Sequence, residues 1–151
     1  MKETFKIYDN QIKGTFPYGL YNLESLVTFD CSRNMLSGNI SSKFEKLMNL
    51  TSFIIFSNMF TGTIPPELAS LEQIQMLMVH QDEFSGTISN KFCGLYEYPH
   101  SLSMFYADCS PTDIIGPPAI VCDCCTHCRD IVHKNCTSLV PVFDVPDDGL
   151  G

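Results

Sequence analysis

Cysteine and histidine carry most of the reactive chemistry in this chain, and they crowd one end. Seven of the eight cysteines lie between residues 93 and 136, which sets two chemistries against each other. Cys93, Cys109, Cys122, Cys124, Cys125 and Cys128 form an even set that reads as a disulfide-stapled cap in an oxidising compartment. Six cysteines admit about fifteen pairings, so spacing assigns none. The alternative is a zinc site on Cys125, Cys128, His133 and Cys136, thiolates and an imidazole near metal-ligand spacing. That site's last gap is short for a zinc knuckle, and the neighbouring Cys122 and Cys124 would be surplus. No metal or other cofactor is therefore expected. Cys31 stands apart in an apolar column, where a thiol behaves as a small hydrophobe.

A catalytic Cys–His pair needs a depressed thiol pKa and a fixed geometry. Nothing in the spacing puts a nucleophile beside His80, and His100, His127 and His133 fall in an insertion or among the cap cysteines. The regularly spaced glycines are not a phosphate loop, because no Gly-Lys-Ser/Thr accompanies them. An enzyme is not expected. Sequons at Asn39, Asn49 and Asn135 agree with export. Asn39 follows a turn glycine and Asn49 precedes a strand, so these two are the glycosylation candidates; Asn135 adjoins a cysteine and is the poorest.

The net charge of −8 is opposite to the basic footprint that nucleic acid requires, and it disfavours an anionic membrane surface. No run of about eighteen apolar residues crosses a bilayer, so no membrane contact by this segment is expected. Residues 1–6 lack the apolar region of a signal peptide. Export without a leader makes the chain read as the C-terminal part of a larger ectodomain.

The elements that must position these residues follow from a repeat. Gly14, Gly38, Gly62 and Gly86 stand 24 apart. Phe16, Ile40, Ile64 and Ile88 follow two places later, and Asn10, Asn34, Asn58 and, in a departure, Asp82 precede by four. Ile12, Leu36, Phe60 and Phe84 lie between. Upstream, the columns Phe5/Phe29/Phe53/Leu77 and Ile7/Cys31/Ile55/Val79 alternate with outward residues, the period of a short strand. The asparagine is suited to bonding backbone groups where the chain leaves the strand. Pro17, Pro65 and Pro66 set a rigid exit from the turn, with Ser41 and Ser89 departing from that column. Leu20/Leu23, Phe44/Leu47, Leu68/Leu71 and Phe92/Leu95 keep helical spacing and return the chain to the core. A single turn buries too little to stand alone, so the turns must stack. The fifth is irregular: residues 96–100 intervene and push Phe105 about four places late, as in an atypical terminal repeat.

The form Leu-x-x-Leu-x-x-Leu-x-Leu-x-x-Asn-x-Leu-x-Gly-x-Ile-Pro, best copied at Asn58-Met-Phe-Thr-Gly62-Thr-Ile-Pro65-Pro-Glu-Leu68, resembles the plant-type extracellular leucine-rich repeats of receptor-like proteins. The resemblance covers about residues 2–110. It implies an α/β solenoid of 24-residue repeats with a parallel sheet on the concave face and short convex strands. Ala107-Asp-Cys109 with Val121-Cys-Asp-Cys-Cys-Thr-His-Cys128 is similar to the C-terminal ends of leucine-rich-repeat proteins from diatoms. Three parts are therefore expected: the array over 1–110, a disulfide-rich cap over 111–137 and a tail or linker over 138–151.

The resemblance makes the concave sheet the default recognition surface. Its outward columns run Lys6, Asp30, Ile54, Met78; Tyr8, Ser32, Phe56, His80; and Asp9, Arg33, Ser57, Gln81. Ile54, Phe56, Met76 and Met78 form an apolar group of the kind found in interface cores, with His80 beside them; Lys6, Tyr8, Asp30 and Arg33 give a polar edge. The expected function is a secreted or cell-surface module that binds a protein, peptide or glycan. A secreted enzyme inhibitor, a structural wall or matrix protein and an intracellular zinc-binding adaptor are the alternatives.

Overall fold

The computed structural model describes residues 3–109, 120–122 and 125–128. Cys124, His133, Asn135, Cys136 and the expected tail over 138–151 lie outside these residues, as does most of the expected cap. In chain order the strands are β1 (Glu3–Lys6), β2 (Lys13–Gly14), β3 (Leu26–Asp30), β4 (Met35–Asn39), β5 (Ser52–Ile54) and β6 (Met59–Gly62). They continue with β7 (Met76–Met78), β8 (Glu83–Phe84), β9 (Gly86–Thr87), β10 (Met104–Ala107), β11 (Ile120–Val121) and β12 (His127–Cys128). Strands β1, β3, β5, β7, β10 and β12 form one sheet in that order; β2, β4, β6 and β8 form a second, and β9 pairs with β11. The pairing is parallel throughout.

The repeat columns become the strand register. Phe5, Phe29, Phe53 and Leu77 lie side by side in the sheet, and Phe105 takes the next place. That last step is 28 residues where the others are 24. The segment that lengthens it includes the exposed Tyr98. Each turn returns through a 3₁₀ helix, at Tyr18–Asn22, Ser42–Lys46, Pro66–Ser70 and Asn90–Tyr96. The helical spacing of Leu20, Phe44, Leu68 and Phe92 is thus realised as 3₁₀ turns, tighter than an α-helix. Strands stack about 4.8 Å apart and helical turns need more room, so the solenoid curves with its main sheet on the inside.

Aromatic packing joins one turn to the next. Phe29 stacks on Phe5 at 5.7 Å and on Phe53 at 5.8 Å, while Phe44 meets Phe53 edge-on at 4.8 Å. Such pairs add roughly 0.5–1.5 kcal/mol beyond the area they bury. Only the terminal member is open: Phe5 is 38% exposed, Phe53 not at all.

Behind the strand ends runs a ladder of side-chain amides. Asn34 Oδ1 accepts from the Ile12 N–H at 3.0 Å, and its Nδ2 donates to the carbonyls of Ile7 and Cys31. Asn58 repeats this with the Leu36 N–H and the carbonyls of Cys31 and Ile55. Asp82 keeps the first half of the pattern, accepting from the Phe60 N–H at 3.0 Å. Asp108 reaches back in turn to the N–H groups of Gln81 and Asp82. The departures from proline are harmless too. Ser41 and Ser89 hold the extended backbone that Pro17 and Pro65 hold, and each hydroxyl accepts from an N–H in the helix that follows.

Gly38, Gly62 and Gly86 have φ between +81° and +93°, and each lies beneath a side chain of the preceding turn. A Cβ on Gly62 would meet the Asn39 side chain at 3.1 Å. Backbone angle and close approach together call for glycine. Asp9, Arg33, Ser57 and Gln81 also have positive φ, near +54° to +59°. The third outward column is therefore a turn position, whose left-handed backbone is held by bonds such as Asn10 N–H to the Arg33 carbonyl.

Candidate binding face

The outward residues of the main sheet divide into two fields. Across the strands, one row runs Thr28, Ser52, Met76, Met104 and the next runs Lys6, Asp30, Ile54, Met78, Tyr106. The first two turns are polar. Tyr8 is 53% exposed, Lys6 and Arg33 point to solvent, and Asp30 Oδ1 accepts from both the N–H and the hydroxyl of Ser32. Those two bonds draw Ser32 out of solvent and commit one carboxylate oxygen of Asp30.

The next three turns are apolar in this sheet apart from Ser52. Ile54, Phe56, Met76, Met78, Met104 and Tyr106 are all half-buried on one side of the sheet. His80 lies between two rings, parallel to Phe56 at 4.6 Å and to Tyr106 at 3.7 Å, and is 6% exposed. It holds the apolar field in shape and offers a partner little surface of its own. Adjacent Ser57 donates its hydroxyl proton to the Gln81 side-chain oxygen at 2.6 Å and fixes the rim. The structure thus brings Ile54, Phe56, Met76, Met78 and His80 together and sets Lys6, Tyr8, Asp30 and Arg33 on the neighbouring field. Sequence reasoning missed Met104 and Tyr106. Their signal was the alternation with the inward Phe105 and Ala107, displaced by the longer fifth turn.

The cysteines resolve in part. Cys122 is bonded to Cys125, and Cys93 and Cys109 are disulfide-bonded as well. The zinc alternative on Cys125, Cys128, His133 and Cys136 is corrected by this bond, because a disulfide sulfur is not the thiolate a zinc ion requires. Cys31 is the free thiol among the described residues. Burial, followed by the charge of Asp30, pushes it well above the ordinary thiol range, so it is a neutral core group. Asn39 and Asn49 are both exposed. Asn39 Oδ1 accepts from the Thr61 hydroxyl, and Asn49 Nδ2 donates to the Glu24 carbonyl.

A family model described as Leucine Rich Repeat matches residues 49–71, the third turn. Nothing among curated protein sequences matches the chain. Among solved structures, the plant peptide hormone receptor RGFR1, in complex with RGF2, superposes on 70% of this chain with a TM-score of 0.65 and 31% identity. The ectodomain of GASSHO1/SCHENGEN3 from Arabidopsis thaliana, in complex with CASPARIAN STRIP INTEGRITY FACTOR 2, covers 76% with a TM-score of 0.60 and 27% identity. The chain carries plant-type leucine-rich repeats. The ectodomain of the Arabidopsis receptor kinase SOBIR1 is also similar, at 26% identity and a TM-score of 0.55 over 59% of the chain. These leucine-rich repeats span 16% of the RGFR1 chain, 12% of GASSHO1/SCHENGEN3 and 49% of SOBIR1. Among the described residues no helix is long and apolar enough to cross a membrane.

Proposed function

We propose that this leucine-rich-repeat chain is an extracellular or cell-surface recognition module without catalytic activity, and that the apolar field of its concave face seats a peptide or protein segment. One observation carries the proposal. Ile54, Phe56, Met76, Met78, Met104 and Tyr106 share an open sheet face where the preceding turns present charge. Grouped apolar and aromatic side chains of this kind mark interface cores. The polar field of Lys6, Tyr8, Asp30 and Arg33 then orients the segment. Two of the similar receptors were solved in complex with a ligand, which supports a binding role. The disulfides support export, and Asn39 and Asn49 are the proposed glycan sites.

Peptides selected from a random displayed library on the intact, disulfide-bonded chain test this. Replacing Phe56 and Met78 together by serine is expected to weaken them by at least about tenfold, the effect of about 1.4 kcal/mol. Lys6→Glu is expected to change affinity by less than about threefold, because rim charges act mainly on association rate. Comparable losses at both places would remove the basis for the apolar seat.

A further inference from the structure

The amide ladder behind the concave strands is interrupted at one rung. Asn34 and Asn58 each present an acceptor to an N–H and a donor group to three carbonyls. Asp82 occupies the same column and keeps the acceptor contact through Oδ1, to the Phe60 N–H. Its Oδ2 stands where the others carry Nδ2, buried and without a hydrogen-bond partner. By the step of the repeat, the counterparts of the carbonyls that Asn34 and Asn58 bond include those of Ile55 and Val79. An ionised carboxylate has four acceptor sites and no donor, so against carbonyls it is repelled; the protonated acid has the one donor this place requires.

We propose that Asp82 works as the carboxylic acid, donating its proton from Oδ2 into the ladder, and that loss of this proton unlocks the turn carrying Met78, His80 and Gln81. The effect on the concave face rests on the binding role proposed above; the ladder itself does not.

The surroundings agree. Burial is the largest influence on Asp82, and with the nearby anions it pushes the carboxyl up to about 8, against the opposing pull of the Phe60 and Asn58 backbone groups. The anions are Asp108, from the following turn, and Glu83, the next residue. Cys31, on the side of the preceding turns, is neutral. Among the described residues no cation is among the groups acting on Asp82. Asp108 accepts from the N–H groups of both Gln81 and Asp82, which brings a second carboxyl to the turn that follows β7. Because the folded chain holds this proton more tightly than the unfolded one, the associated stability is complete below about pH 4, where a free aspartate is also protonated. It declines as pH rises and is gone above about 8.

Thermal unfolding of the intact, disulfide-bonded chain and of Asp82→Asn, from about pH 5 to about pH 9, tests the proposal. Asparagine already fills this column three times, at Asn10, Asn34 and Asn58, so the variant is expected to fold. The wild type is expected to lose about 5–10 °C more than Asp82→Asn over that range. Parallel losses in the two proteins would overturn the proposal. Carbon NMR of the wild type labelled at its aspartate carboxyls gives a second reading that needs no variant. One carboxyl titrating near 8 is expected; all of them titrating below about 5, within the ordinary aspartate range, would overturn it. Neither experiment uses a ligand, so failure here is separable from failure of the binding role.

Discussion

The first two turns of the solenoid and the three that follow share a backbone and differ in what they show to solvent. Inward columns are nearly interchangeable: Phe29, Phe53, Leu77 and Phe105 occupy one place and are all buried. Outward columns change character between the second and third turns, from Lys6 and Asp30 to Ile54, Met78 and Tyr106 in a single row. Stacking fixes the first set, because a residue that fails to fill its place opens a gap against two neighbours at once. No packing rule fixes the second. A coherent field where the fold permits anything is what the proposed binding role requires.

The sharpest way to test the division between interior and terminal turns is to remove one ring from each. Phe53→Ala deletes a fully buried ring that contacts Phe29 and Phe44, and a loss of about 3–5 kcal/mol is expected in urea unfolding. Phe5→Ala removes a ring with one open face and is expected to cost roughly 1–2 kcal/mol. Equal costs would mean that the first turn is packed as tightly as the third. A smaller contrast is expected at the glycines. Gly62→Ala combines a left-handed backbone with a Cβ set against the Asn39 side chain, for about 2–3 kcal/mol. Gly14 has the same kind of φ but nothing within 4 Å of the added Cβ, so Gly14→Ala is expected to cost only about 1 kcal/mol.

What the sequence revealed followed from periodicity. A step of 24 places every inward side chain, and the observed register repeats it over the first four turns. Two features escaped because they do not repeat, and a third because its residue types do not mark it. Tyr106 belongs to the turn that steps by 28, so its outward place beside Met78 came from the pairing of β10 with β7. The stacking of His80 between Phe56 and Tyr106 depends on side-chain rotation, which spacing does not record. Asp9, Arg33, Ser57 and Gln81 adopt left-handed backbone without glycine, so composition gave no warning that this column is a turn. For the cysteines, spacing assigned no pairing, and the bond from Cys122 to Cys125 had to be seen in three dimensions.

Binding is proposed to belong to the apolar field of the concave face. Hydrogen exchange of the intact chain, with and without a saturating library-selected peptide, tests it most directly. Protection is expected across the β5, β7 and β10 strands and the residues that follow them, with little change over β1 and the convex strands. A footprint confined to β1 and β3, or to the convex side, would contradict the account.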